Sequence, residues 1–85
     1  MFLNIGSGYF LDKDKVVLIL SKDIVNEKNE KVFNDFKNKA SIINTCDDDK
    51  VKSYLYYRDQ DGEIIYTSSF LPGTLYDRFE NDWGL

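Results

Sequence analysis

The sequence contains no histidine and a single cysteine, Cys46, among its 85 residues. Without histidine, the chain lacks the usual general base and the commonest metal ligand of proteins. One cysteine cannot form an intramolecular disulfide, and it has no imidazole to activate it as a nucleophile. We therefore expect no enzymatic activity, no bound metal, no other cofactor and no small-molecule substrate, and we interpret Cys46 as a half-buried apolar residue beside a loop.

Long apolar runs are also absent, because no run approaches the roughly 18 residues that a membrane span needs. The first residues have neither the basic region nor the apolar region of a secretory signal. These features, together with the lack of disulfides, predict a cytoplasmic protein that contacts no membrane. A chain of this length can build one core, and 42% hydrophobic residues suffice to fold it, so we predict a single domain over residues 1–85.

Basic residues are in the minority, since eleven Lys and Arg oppose fifteen Asp and Glu to give a net charge of −4. This balance disfavours unspecific attraction to nucleic acids, so any such contact needs a local basic patch. Acidic residues cluster at 47–49 and at 59–63. The second cluster lacks the spacing of an EF-hand loop, because Tyr57 and Ser68 stand where carboxylates are required. Both clusters are best interpreted as solvated loops.

Short apolar runs bounded by turn residues predict strands along most of the chain. The predicted strands are 2–5, 9–11, 16–20, 41–44, 54–58 and 63–68. Gly6-Ser7-Gly8 predicts a tight turn, and Asp61-Gly62 predicts the turn of a β-hairpin. The run Val16–Leu20 is apolar at every position, which favours a strand in the middle of a sheet.

Helical spacing occurs in two places. Residues 26–40 form a predicted amphipathic helix with Val32, Phe33, Phe36 and Ala40 on its apolar face. A short helix over 74–79 is predicted near the end of the chain, where Leu71, Leu75, Phe79 and Trp83 repeat every four residues. The predicted fold is α+β, a small and mainly antiparallel sheet with one main amphipathic helix and a short C-terminal helix. Its apolar surface exceeds what one helix can cover, which predicts a homo-oligomer.

Three segments, spaced in order over nearly the whole chain, carry a family pattern. They are Leu3-Asn4-Ile5-Gly6-Ser7-Gly8 followed by Asp12-x-Asp14-Lys15-Val16-Val17-x-Ile19, then Lys52-Ser53 before an apolar strand, then Ile65-Tyr66-x-Ser68-x-Phe70 with Thr74-Leu75-x-x-Arg78. Together they resemble the RemA/RemB family of small bacterial regulators linked to biofilm-matrix genes. The second and third segments are most similar to the RemB branch.

The resemblance implies a transcriptional regulator that binds double-stranded DNA through basic residues of a ring-shaped homo-oligomer. Lys15 matches the family's first DNA-contacting arginine, and Lys50 and Lys52 fall in the loop where RemA-type members have paired arginines. These three lysines are therefore the predicted nucleic-acid contacts. Lysine cannot make the forked contact of arginine, and Asp48 and Asp49 repel phosphate. An oligomeric protein–protein interaction module with little or no DNA binding is the alternative.

Overall fold

The computed structural model describes residues 2–23, 34 and 41–81 of the chain. The strands are β1 (Phe2–Gly6), β2 (Tyr9–Asp12), β3 (Val16–Ser21), β4 (Ser41–Ile43), β5 (Ser53–Asp59) and β6 (Gly62–Ser68), and the helix α1 spans Pro72–Asn81. Single 3-10 turns at Lys13–Lys15 and Asp48–Lys50 precede β3 and β5. The predicted strands are thus present, each within a residue or two of its predicted bounds.

The strands form two sheets. β1 and β2 make an antiparallel ribbon, closed by the predicted Gly6-Ser7-Gly8 turn, and the other four strands lie in the order β3-β5-β6-β4. In the larger sheet β4 pairs with β6 in parallel, while the other two pairs are antiparallel. The α+β class and the mainly antiparallel pairing are therefore confirmed.

Of the two predicted helices, the structure describes only the one near the end of the chain, and it is longer than predicted. The amphipathic helix predicted over 26–40 lies outside the described residues, apart from Asn34. In the described part of the chain the main helix is α1, which has ten residues and so extends beyond the predicted 74–79. Pro72 is its first residue, a position where the missing N–H of proline costs no helical hydrogen bond.

The run Val16–Leu20 forms a strand, but its predicted place in the middle of the sheet is wrong. β3 lies at an edge, where β5 is its one strand neighbour in the described sheet. Val17 falls at a bulge in the pairing with β5, and it is 56% exposed. On the outer side of β3 the Tyr76 hydroxyl of α1 donates a hydrogen bond to the Ile19 carbonyl oxygen at 3.1 Å. Within the described part of the chain, a helix and not another strand therefore contacts the outer side of β3.

The hairpin between β5 and β6 turns one residue earlier than predicted. Asp59 pairs with Gly62, so Gln60 and Asp61 are the two central residues of the turn. The Asp59 carboxylate accepts a hydrogen bond from the Asp61 backbone N–H at 2.8 Å. Gly62 follows with φ of +132°, a conformation that a residue with a side chain rarely adopts. Aspartate first and glycine last is the usual composition of a type I turn.

The core lies between the ribbon, the larger sheet and α1. Its buried apolar cluster consists of Leu3, Ile5, Leu11, Ile19, Leu55, Tyr57 and Leu75. Leu75 is the fully buried residue of α1, and it packs beside residues contributed by both sheets. Burial of this kind contributes about 1.5 to 3 kcal/mol for each large apolar side chain. The core therefore fixes the ribbon and α1 against one face of the larger sheet.

Two buried serines connect the larger sheet to the ribbon and to the loop that follows β6. Ser53 and Ser68 lie opposite each other in β5 and β6. The Ser68 hydroxyl donates to the Ile5 carbonyl oxygen at 2.8 Å and accepts from the Phe70 N–H at 3.1 Å. The Ser53 hydroxyl donates to the Phe70 carbonyl oxygen at 2.7 Å. These bonds satisfy polar groups that would otherwise be buried without partners.

We expect Ser68→Ala to destabilise the protein by about 1 to 3 kcal/mol, because the Ile5 carbonyl oxygen loses this buried donor. Chemical denaturation followed by circular dichroism measures the change. Ser69→Ala is the matched control, since Ser69 is half-buried and lies in the adjacent loop. Equal stability of the two variants would contradict the role assigned to Ser68.

Candidate nucleic-acid interface

The three predicted contact lysines lie at the ends of strands. Lys15 ends the 3-10 turn that leads into β3, and Lys50 ends the turn that precedes β5. Lys52 is the last residue before β5. All three side chains are exposed, as a contact with phosphate requires.

The structure does not bring all three lysines together. In the antiparallel pairing of β3 with β5, Val16 lies opposite Tyr57 and Ser21 lies opposite Ser53. Lys15 is therefore at one end of this pair of strands, whereas Lys50 and Lys52 are at the other. Six strand residues separate the ends, which corresponds to roughly 20 Å at the usual rise per residue.

The loop that carries Lys50 and Lys52 is fixed by backbone hydrogen bonds. The Lys50 N–H donates to the Asp47 carbonyl oxygen at 2.9 Å, and the Lys52 N–H donates to the Ser68 carbonyl oxygen at 2.8 Å. Between them Val51 is buried. Because the backbone and Val51 hold the loop, the ammonium groups of Lys50 and Lys52 are presented to solvent from a defined position.

A further lysine, Lys22, belongs to this end of the sheet. Its N–H donates to the Lys52 carbonyl oxygen at 3.0 Å, and its Nζ donates to the Asp48 carbonyl oxygen at 3.0 Å. The sequence patterns do not single out Lys22 as part of the candidate interface. Its place directly after β3, antiparallel to the start of β5, was the signal that could have found it.

The same loop also carries acidic side chains. Asp47, Asp48 and Asp49 are all exposed, as the sequence predicts for solvated loop charge. Burial raises the pKa of Tyr54, and the nearby Asp48 carboxylate raises it further. The loop therefore combines lysines with carboxylates, and it is not a purely positive surface.

At the opposite end of the sheet, Lys15 shares its 3-10 turn with Lys13. The Lys13 ammonium lies 5.0 Å from the centre of the Phe79 ring. Arg58 forms an exposed ion pair with Glu63 at 3.2 Å. The pKa of Arg58 is raised first by its interactions with Tyr56 and then by the Glu63 carboxylate. Exposed ion pairs of this kind contribute little to stability.

The described residues include seven Lys and Arg side chains, and they divide into two groups. Lys13, Lys22, Arg58 and Arg78 each contact a ring, a carbonyl oxygen or a carboxylate. For Lys15, Lys50 and Lys52, no hydrogen bond or ion pair of the ammonium group is found within the described part of the chain. Among the described cations, Lys15, Lys50 and Lys52 are therefore those without such a contact.

Other kinds of site find little support in the described residues. Within 2–23 and 41–81, no three His, Cys, Asp or Glu side chains come together so as to hold a metal ion. Cys46 is half-buried, as predicted. No helix of the part that the structure describes is both long and apolar enough to cross a membrane.

Comparison with known proteins identifies one family whose model covers nearly the whole chain. No match was found among curated proteins. The model of the RemA-like family, described as extracellular matrix regulatory protein A-like, matches residues 2–79 and so includes both sheets, all three candidate lysines and most of α1. This description is that of a regulatory protein, and the match does not separate the RemA and RemB branches. The chain therefore belongs to the RemA-like family of regulatory proteins.

Proposed function

We propose that this protein is a DNA-associated transcriptional regulator that acts in the cytoplasm as a ring-shaped homo-oligomer. Membership of a regulatory family supports the general role. The observation that carries the DNA contact is the availability of Lys15, Lys50 and Lys52, whose ammonium groups are exposed while the other described cations contact groups of the same chain. Phosphate oxygens are suitable partners for such groups.

One subunit alone binds DNA weakly. Its lysines form two separate contacts, at ends of the sheet roughly 20 Å apart, and the carboxylates of Asp48 and Asp49 lie beside one of them. Repetition around an oligomer compensates, because linked weak contacts act at high effective concentration. The proposed regulator therefore depends on assembly for its affinity.

A gel-shift titration of double-stranded DNA tests this proposal with the unaltered protein. Binding through phosphates is expected at about 50 mM salt and should weaken strongly by about 200 mM salt. The slope of log affinity against log salt estimates the number of contacts, at about 0.9 for each phosphate neutralised. Absence of binding at the lower salt concentration, or affinity that is independent of salt, would contradict the proposal.

The alternative function is a protein–protein interaction module. The acidic triplet favours it, because exposed carboxylates at Asp47, Asp48 and Asp49 repel phosphate and attract a basic partner. In that case the protein should still assemble but should shift no DNA at low salt. The same titration, with the oligomeric state measured in parallel, separates the two functions.

A further inference from the structure

A polar cavity lies on the larger sheet, at the end that carries Lys50 and Lys52. Its volume is about 360 Å³, and its lining residues include Lys22, Ile42, Asp48, Val51, Tyr54 and Thr67. We call it the loop cavity. Ligand sites in proteins commonly measure about 300 to 1,000 Å³, and a cavity of about 150 Å³ already holds one benzene molecule. The loop cavity therefore has the capacity for a small organic ligand.

The loop cavity lies on the face of the larger sheet opposite to the ribbon and α1. Leu55 belongs to the buried cluster that the sheet shares with those two elements. Side chains alternate along a strand, so the neighbouring Tyr54 lies on the other face, and Thr67 lies there too because it pairs with Tyr54. A ligand in the loop cavity would therefore leave the packing of the ribbon and α1 undisturbed.

The least exposed parts of the loop cavity are held in place by the protein itself. Val51 and Thr67 are 4% and 3% exposed. The Thr67 hydroxyl oxygen accepts a hydrogen bond from the Thr45 N–H at 3.0 Å, and the Thr67 carbonyl oxygen accepts one from the Thr45 hydroxyl at 2.6 Å. Because these residues are buried and bonded, this part of the cavity is formed before any ligand arrives, which lowers the cost of binding.

Two opposite charges lie at the loop cavity, and they do not pair with each other. The Lys22 ammonium donates to the backbone carbonyl oxygen of Asp48 at 3.0 Å. Within the described residues no ion pair joins this ammonium to the Asp48 carboxylate, and that carboxylate accepts no hydrogen bond. An ammonium group has three donors. Two donors of Lys22 and the carboxylate of Asp48 can therefore still be used by a ligand.

The Asp48 carboxylate also acts on the interior of the cavity. Burial raises the pKa of Tyr54, and the negative charge of Asp48 raises it further, which places this charge near the phenol group that lines the cavity. An anion alone would be repelled by Asp48, and a cation alone by Lys22. A ligand that carries both charges can satisfy both groups.

We propose that the loop cavity binds a free α-amino acid with an apolar side chain. The carboxylate of the ligand accepts from the Lys22 ammonium, and the ammonium of the ligand donates to the Asp48 carboxylate. The side chain of the ligand lies against apolar parts of Ile42, Val51 and Tyr54. The ligand is bound and not transformed. This inference goes beyond the proposed function and does not depend on DNA binding.

Isothermal titration calorimetry with the unaltered protein, in the absence of DNA, tests the inference. L-leucine and L-phenylalanine are the probes, and at least one should bind one site per chain with a Kd below about 1 mM. N-acetyl-L-leucine lacks the ammonium group, and L-leucinamide lacks the carboxylate. Each analogue should bind at least about tenfold more weakly than L-leucine, because one charged hydrogen bond is lost.

A matched pair of variants locates the site. Asp48→Asn removes the carboxylate but keeps the carbonyl oxygen that holds Lys22, and it should weaken amino-acid binding about tenfold. Asp47→Asn makes the same change of charge at an exposed neighbour that does not line the cavity, and it should bind like the parent.

Three results would overturn the inference. The first is that neither amino acid binds at concentrations up to about 10 mM. The second is that an analogue with one charge binds as tightly as L-leucine, which needs no variant and so does not depend on the folding of one. The third is that Asp48→Asn and Asp47→Asn bind the amino acid equally, with folding verified by circular dichroism.

Discussion

Replacement of Lys15, Lys50 and Lys52 together by glutamate is expected to abolish DNA binding while the protein stays folded. The three side chains are exposed, and no contact of their ammonium groups within the described chain is lost. The hydrogen bonds that hold Lys52 use its backbone atoms, which the substitution leaves in place. Each change removes one positive charge and adds a negative one at the proposed phosphate contact, so attraction becomes repulsion.

The measurement is the same gel-shift titration, together with thermal unfolding. If all three lysines contact phosphate, their loss removes about 2.7 from the salt slope for each subunit engaged. The matched control replaces the same three lysines by arginine, which keeps the charge and adds forked donors, so binding should be retained or strengthened. DNA binding by the glutamate variant at the level of the parent would contradict the assignment of these residues.

Local patterns predicted most of the strands correctly. The β5–β6 hairpin follows from two strand-like runs separated by a polar turn, and the Gly6-Ser7-Gly8 turn follows from residues that tolerate positive φ. These features depend on residues that are neighbours in the sequence, so the local sequence is enough to predict them. The one-residue error at the hairpin turn arose because Gly62 ends the turn and does not lie at its centre.

Features that depend on contacts between residues far apart in the chain were harder to predict from the sequence. An apolar run such as Val16–Leu20 indicates contact with other parts of the protein, but it does not say whether strands or a helix supply that contact. In the structure β3 is an edge strand next to α1, which follows it by some fifty residues. The order of strands in a sheet is a property of the whole chain, and no local pattern determined it.

In the candidate site, too, the sequence predicted individual residues but not how they are arranged in space. Family resemblance predicted Lys15, Lys50 and Lys52 one by one, and all three are exposed. Their separation into two groups follows from the register of β3 with β5, and the role of Lys22 as a support of the loop follows from its bond to the Asp48 carbonyl oxygen. Which cations are already engaged within the chain was visible only in three dimensions.

Asp48→Arg/Asp49→Arg is expected to strengthen DNA binding above that of the parent. Both carboxylates are exposed beside Lys50, so their removal ends a local repulsion of phosphate. Arginine also adds a planar donor that can bind a phosphate through two hydrogen bonds. The hydrogen bond that the Lys22 side chain donates to the Asp48 carbonyl oxygen does not require the aspartate side chain, so the loop should keep its conformation.

The charge of the protein changes from −4 to 0 in this variant, since two negative residues become positive. Asp61→Arg/Glu80→Arg makes the same change at two exposed acidic residues outside the loop, and it therefore controls for net charge. The loop variant should bind more tightly than this control, and its salt slope should steepen by about 0.9 for each new phosphate contact.

If the two variants bind DNA equally, the loop is not a DNA surface. The protein–protein interaction module would then be the better account, because an exposed acidic loop held in place by Lys22 and Val51 would be available to a basic partner.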